Sequence, residues 1–182
     1  MRRLMSVTLA GVLWTAAAWA QTENLVKNPG FEVVDEAQKM PKDWQVAVWS
    51  SDAPTGKAAV ELAEGGRTGK FAAKVRWFEG SKNVVFWPAL TREIKGAGKF
   101  KLSFWFKGPN TVTVYASGYT QDTARKDVDY VHSKQAQASE TWQQTVFEFQ
   151  TSANAQTFNV FLRVNGDGVL FDDVSLEEIK AK

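Results

Sequence analysis

The sequence has no cysteine and a single histidine, His132, among 182 residues. Without cysteine there are no disulfides, thiolate metal sites, iron–sulfur clusters or thiol nucleophiles. One histidine excludes a histidine-rich metal centre. Charge of one sign is also missing: 22 Lys and Arg stand against 20 Asp and Glu. No Gly-x-Ser-x-Gly, P-loop or dinucleotide fingerprint occurs. Beyond residue 20 no apolar run is long enough to span a bilayer, and no repeat or low-complexity tract is evident.

The start of the chain has its own character. Arg2 and Arg3 precede an apolar run, Leu4 to Trp19, which closes on Ala18-Trp19-Ala20 before the polar Gln21-Thr22-Glu23-Asn24. This is the three-part layout of a secretory signal peptide. It predicts a leader over 1–20 cut after Ala20, one domain over 21–182, and a secreted or periplasmic location. The alternative is an N-terminal anchor, for which the run is short. Cleavage removes two basic side chains and no acidic one, leaving 20 of each. The balanced chain offers no electrostatic ground for nucleic acid or an anionic membrane as partner.

The rest of the sequence alternates. Phe100, Leu102, Phe104 and Phe106 share one face, and Lys101, Ser103, Trp105 and Lys107 the other, a period of two. Val112, Val114 and Ala116 repeat the pattern, as do Phe147 and Phe149, and Phe158, Val160, Leu162 and Val164. Further strands are expected at Trp44–Trp49, Ala58–Leu62, Phe71–Trp77, Val84–Leu90 and Leu170–Glu178. Turn signals such as Glu64-Gly65-Gly66 and Asn165-Gly166-Asp167-Gly168 separate them. No long amphipathic helix is found; Ala136 to Thr141 is read as at most one helical turn. Thr120 to Glu140, polar and poorly patterned, reads as a long rim loop. The expected fold is all-β, two antiparallel sheets packed face to face.

Six blocks carry a resemblance: Asn24-Leu25-Val26-Lys27-Asn28-Pro29-Gly30-Phe31-Glu32, Pro41-Lys42-Asp43-Trp44, Gly66 to Val75, Leu102 to Gly108, Thr141-Trp142-Gln143 and Leu170-Phe171-Asp172-Asp173-Val174-Ser175-Leu176. In order and spacing the chain resembles the galactose-binding-like β-jelly rolls, most closely carbohydrate-binding modules of the CenC-like kind, families 4, 9 and 22. The resemblance covers Asn24 to about Glu178. It implies a structural calcium ion joining the chain ends, with ligands from the side chains of Glu32 and Asp172 and a carbonyl near Lys70. Asp173 is the adjacent alternative to Asp172, and a salt bridge to Lys70 or Arg67 the plainer reading. It also implies a poly- or oligosaccharide ligand held on a concave sheet, and a separate carbohydrate-active enzyme as partner.

Sugars offer flat C–H faces to aromatic rings and hydroxyls to planar polar groups. Aromatics on polar strand faces are therefore the informative ones. Trp105, Tyr115, Tyr119 and Trp49 are the stacking candidates, with Arg163 and Asn165 as hydrogen-bonding partners. Phe161 shares the face of Arg163, Asn159 and Asn165. Trp87 and Trp77 are further candidates on strands apolar on both faces. The plainer reading of all of these is a second small core beneath the Thr120–Glu140 loop. Trp44 and Trp142 read as packing. Two other functions remain in view: a structural or protein-interaction domain of the cell envelope, and a small polysaccharide lyase using Asp127-Val128-Asp129-Tyr130-Val131-His132.

Overall fold

Phe100, Leu102, Phe104 and Phe106 are buried along one face of a ten-residue strand, β7 (Gly98–Lys107), while Lys99, Lys101, Trp105 and Lys107 face outward. The same rule builds the rest of the computed structural model, which describes residues 23–49, 60–77 and 83–180. Twelve strands and no helix occupy these residues. The others are β1 (Val34–Asp35), β2 (Met40–Pro41), β3 (Trp44–Trp49), β4 (Val60–Glu64), β5 (Phe71–Val75), β6 (Asn83–Pro88), β8 (Thr113–Gln121), β9 (Asp127–Gln137), β10 (Gln143–Thr151), β11 (Thr157–Val164) and β12 (Leu170–Glu178).

Two five-stranded sheets form, in the orders β10-β7-β12-β5-β4 and β3-β6-β11-β8-β9, with β1 and β2 a separate hairpin. Every strand pair is antiparallel. The expected all-β sandwich is the observed fold. Its core joins the inner faces of both sheets. Phe86 of β6 lies 5.2 Å from Trp44 of β3 and 5.0 Å from Phe171 of β12, ring centroid to ring centroid. Trp44 also donates its indole N–H to the Asn28 carbonyl at 3.1 Å, so its expected packing role holds. Phe158 of β11 meets Phe149 of β10 at 4.9 Å. The close fit leaves no room for a side chain at Gly118, where an added Cβ would lie 2.5 Å from the Asn159 carbonyl oxygen and 3.2 Å from the Phe158 ring.

Two expectations need correction. Thr120 to Glu140 is not a rim loop: it completes β8 and contains the whole of β9, an edge strand with one partner. Nor is Ala136–Thr141 a helical turn, since β9 runs through Gln137. Polar residues are tolerated on β9 because only its inner side meets the core. The turn into it uses neither Gly nor Pro. Asp122 Oδ1 accepts the N–H groups of Ala124 and Lys126 at 2.8 and 3.0 Å, and Arg125 adopts φ 60°.

Asp129 then clips the edge strand to both sheets. Its Oδ2 accepts the Thr120 hydroxyl at 2.7 Å, the Ser152 N–H at 2.9 Å and the Ser152 hydroxyl at 3.0 Å. Thr120 belongs to the second sheet and Ser152 follows β10 of the first. Burial pushes the Asp129 carboxyl upward, but the Ser152 N–H and the two hydroxyls outweigh it and hold it below the ordinary aspartate value. Stability from a depressed carboxylate is present above the unfolded pKa and is lost as pH falls through the folded one. At neutral pH Asp129→Asn is expected to cost about 1–2 kcal/mol. That deficit should shrink as pH falls below about 3.9. Urea midpoints of the two proteins from pH 7 to 3 check this, and a deficit independent of pH contradicts it.

Candidate functional site

The outward faces of the two sheets differ in kind. On the first, charges alternate in sign across neighbouring strands. Lys101 pairs with Glu177 at 3.1 Å, Lys99 with Glu148 at 2.5 Å, and Glu61 with both Arg76 at 3.2 Å and Lys74 at 3.6 Å. Trp105 lies on this face. The Arg67 guanidinium covers its ring at 3.8 Å and reaches Asp173 Oδ2 at 2.7 Å. Lys107 sits over the ring of Trp142, 4.8 Å from its centre. This is a charge-paired surface with its tryptophans under cations.

The second sheet turns aromatic rings outward. The registers Gln45↔Trp87, Arg163↔Val85, Arg163↔Tyr115, Asn159↔Tyr119 and Tyr119↔Tyr130 set them side by side. Tyr119 stacks on Phe161 at 5.5 Å and 25°, and Phe161 meets Trp87 edge to face at 5.8 Å and 69°. The Arg163 guanidinium lies 5.1 Å from the centre of Tyr115. Trp87, Tyr115, Tyr119, Phe161 and Arg163 are half-buried, and Tyr130 at the β9 end is 62% exposed. Beside Trp87 opens a cleft of about 500 Å³, lined among others by Gln45, Asn159, Thr157, Thr91 and Arg92. That size is within the usual range for small-molecule sites. Its outer wall is held firmly, since Thr91 N–H bonds the Leu25 carbonyl at 2.5 Å and Arg92 pairs with Glu178 at 2.7 Å.

The structure thus divides the expected ligand residues. Tyr115, Tyr119 and Arg163 come together on the second sheet, and Trp105 is on the other. Asn165 lies beyond the end of β11, where its Oδ1 accepts the Thr113 N–H at 2.8 Å, fixing the strand end. Trp49 ends β3, but its side chain lies outside the described residues, as does that of His132. The Thr120–Glu140 segment expected to cover these aromatics is strand instead, while Val85 and Ser117 at the centre of the same face are buried. Sequence reasoning under-weighted Trp87 and Phe161 and missed the cleft. The 2.0 period marked Phe161, but β6 is apolar on both faces and gave no side for Trp87. In the lyase stretch Asp129 is bonded to Thr120 and Ser152 and Asp127 accepts Gln121 Nε2 at 3.0 Å, while the side chain of His132, the candidate base or acid with Tyr130, lies outside the described residues.

The expected calcium ligands meet around the loop between β4 and β5. Glu32 Oε1 accepts the N–H groups of Lys70 and Phe71, each at 2.9 Å. Asp172 Oδ2 accepts those of Arg67 at 2.6 Å and Thr68 at 3.2 Å, and Oδ1 that of Asp173 at 2.8 Å. The Lys70 carbonyl accepts from Gly65 and Gly66. Gly69 is needed here, with φ 64° and Glu32 Oε1 2.4 Å from where a Cβ would stand. Burial raises the Asp172 carboxyl to about 6, against hydrogen bonds from Thr68, Asp173 and Arg67 and with the Asp173 charge adding to the rise. Hard oxygen donors suit calcium in kind. Among the described residues, however, no group of three or more His, Cys, Asp or Glu is placed to hold a metal, so an ion here would need carbonyl oxygens as well.

No family model matches the chain, and no curated protein does. Solved structures do match. The family 61 module TmCBM61, in complex with β-1,4-galactotriose, aligns with a TM-score of 0.55 at 19% identity, covering 87% of this chain and all of that one. The CBM22-1 xylan-binding domain of Paenibacillus barcinonensis Xyn10C aligns at 0.54 and 10%, covering 84% and 93%. The fold is that of a carbohydrate-binding-module-like β-sandwich. The enzymatically active domain of bacteriophage CBA120 tailspike protein 4 contains a similar fold, with a TM-score of 0.61 at 17% identity. The match covers 86% of this chain, which spans about a fifth (21%) of that one.

Proposed function

We propose that this protein is an exported, non-catalytic module that binds poly- or oligosaccharide on the outward face of the second sheet. Rings stack through Tyr119, Phe161 and Trp87, and Gln45 and Asn159 beside Trp87 supply planar amide donors and acceptors. The observation carrying this reading is the contiguous row Tyr119–Phe161–Trp87 opening into the 500 Å³ cleft. Two of the solved neighbours are named for galactotriose and xylan, which supports the ligand class. Export rests on the leader-like residues 1–20, which lie outside the described residues. No helix among the described residues is long and apolar enough to cross a membrane.

The test is calorimetric titration of the purified protein with a panel that includes β-1,4-galactotriose, xylohexaose and the corresponding polymers. Saturable binding to one of them is expected. Binding of none, with capture of a partner protein instead, favours the structural-domain reading.

Calcium completes the proposal as a clamp between Glu32, Asp172 and the 66–70 loop. A ligand bound only by the folded state adds about 2.7 kcal/mol at a hundredfold excess over its Kd. The melting temperature is therefore expected to rise on adding calcium and to return on adding chelator. A midpoint indifferent to both means that the N–H groups of residues 67–71 hold these carboxylates unaided.

A further inference from the structure

The ring row and the cleft run in different directions. Trp87, Phe161 and Tyr119 stand on three neighbouring strands, β6, β11 and β8. Their successive ring centroids are 5.8 and 5.5 Å apart. That is close to the strand spacing of about 4.8 Å, so the row crosses the sheet. The cleft instead follows the strands. It is lined by Thr157 and Asn159, which precede Phe161 on β11, and by Pro88 and residues 90–93, which follow Trp87 along β6 and past its end. The antiparallel register Leu162↔Phe86 lays these two stretches side by side. Row and cleft meet at Trp87, which packs on Phe161 and also lines the cleft. The site is therefore angular, with the cleft opening to one side of the row.

Resting on the carbohydrate reading, we propose that this site selects branched, uncharged glycans: the main chain lies across the strands on Tyr119, Phe161 and Trp87, and a short side branch enters the cleft. A linear chain on the row passes the mouth of the cleft and leaves it to water. A branched chain fills both arms, with Trp87 under the sugar that carries the branch. The walls suit a neutral branch. Arg92 is paired with Glu178 at 2.7 Å and Glu93 with Lys95 at 2.6 Å, so the charges on the outer wall are balanced within the protein. Gln45, in register with Trp87, and Asn159 present planar amides to the cleft, each both donor and acceptor for sugar hydroxyls. The bonds that brace Thr91 and Arg92 keep the cleft formed before the branch arrives, which lowers the ordering cost of binding.

The experiment compares oligosaccharides that share a backbone and differ only in branching. Arabinoxylan, galactomannan and xyloglucan fragments are each titrated beside the same fragments with their branches removed enzymatically, with β-1,4-galactotriose as a linear reference. At least one branched fragment is expected to bind about tenfold tighter than its bare backbone, the worth of two ordinary hydrogen bonds. Thr157 is exposed on the cleft lining where β11 begins. Thr157→Trp fills the cleft from there and should erase the difference. Bare backbones bound as tightly as their branched forms in every pair overturn the inference and leave the carbohydrate reading standing. A difference that survives in a folded Thr157→Trp protein overturns the role of the cleft. Failure of every glycan, linear and branched, overturns the carbohydrate reading and this inference with it. The paired titrations on the unaltered protein need no variant, so a misfolded substitution does not block the test.

Discussion

Phe86→Ala is expected to lower stability by about 3–5 kcal/mol and the melting temperature by on the order of 10 °C. Phe86 is 1% exposed. Its ring contacts Trp44 on its own sheet, Phe171 on the facing sheet, and Phe31 at 6.5 Å in the segment that leads into β1. Truncation removes contacts to both sheets at once. The cavity is lined by Trp44, Phe31 and Phe171, and Phe171 sits on β12 between β7 and β5, so it collapses poorly. Phe86→Leu, which keeps most of the volume, should lose roughly half as much or less. Urea unfolding followed by tryptophan emission measures both. A loss under about 1 kcal/mol for the alanine variant means the two sheets do not share this cluster as their centre.

Trp87→Ala is expected to weaken glycan binding about 30-fold or more, the loss of about 2 kcal/mol typical of a central aromatic contact. Trp87 belongs to both the ring row and the cleft, so its removal deletes a stacking surface and opens the cleft toward Gln45. The matching control is Trp105→Ala. Trp105 lies on the opposite sheet beneath Arg67, and its loss should leave affinity within about twofold. Titration of both variants with the best ligand of the panel decides between the faces. If Trp105→Ala abolishes binding and Trp87→Ala does not, the ligand sits on the first sheet.

Trp105 and Tyr115 illustrate what a sequence can and cannot convey. Both are aromatics flanked by polar residues on the outward side of an alternating strand, so the period of two identified them equally well. Which sheet each strand joins depends on partners far along the chain: β7 pairs with β10 and β12, β8 with β9 and β11. No local pattern encodes that choice. Strands β3 and β12 were legible to the residue because core-facing side chains alternate along them and turns bound them. The edge strand β9 was not, since half of its surface is wet and its turn relies on an Asp122 side chain and a left-handed Arg125 in place of Gly or Pro. The cleft, whose outer wall is the 90–93 segment after β6, left no periodic trace of its own. Glu32 and Asp172 were found through motif order, yet the backbone donors they engage became visible only with the loop folded.

Asn24 bridges Glu177 across the sheet. Its side chain ties down Val174 and Leu176, with Nδ2 to the Val174 carbonyl and Oδ1 to the Leu176 N–H, both at 3.0 Å. Residues 24 and 177 are thus neighbours in the layer of the first sheet, while Trp87 and Phe161 look out from the second, about 10 Å behind it. The same two strand ends brace the cleft, Leu25 by accepting the Thr91 N–H and Glu178 by pairing with Arg92, so whatever loosens this bridge loosens the wall beside the aromatic row with it.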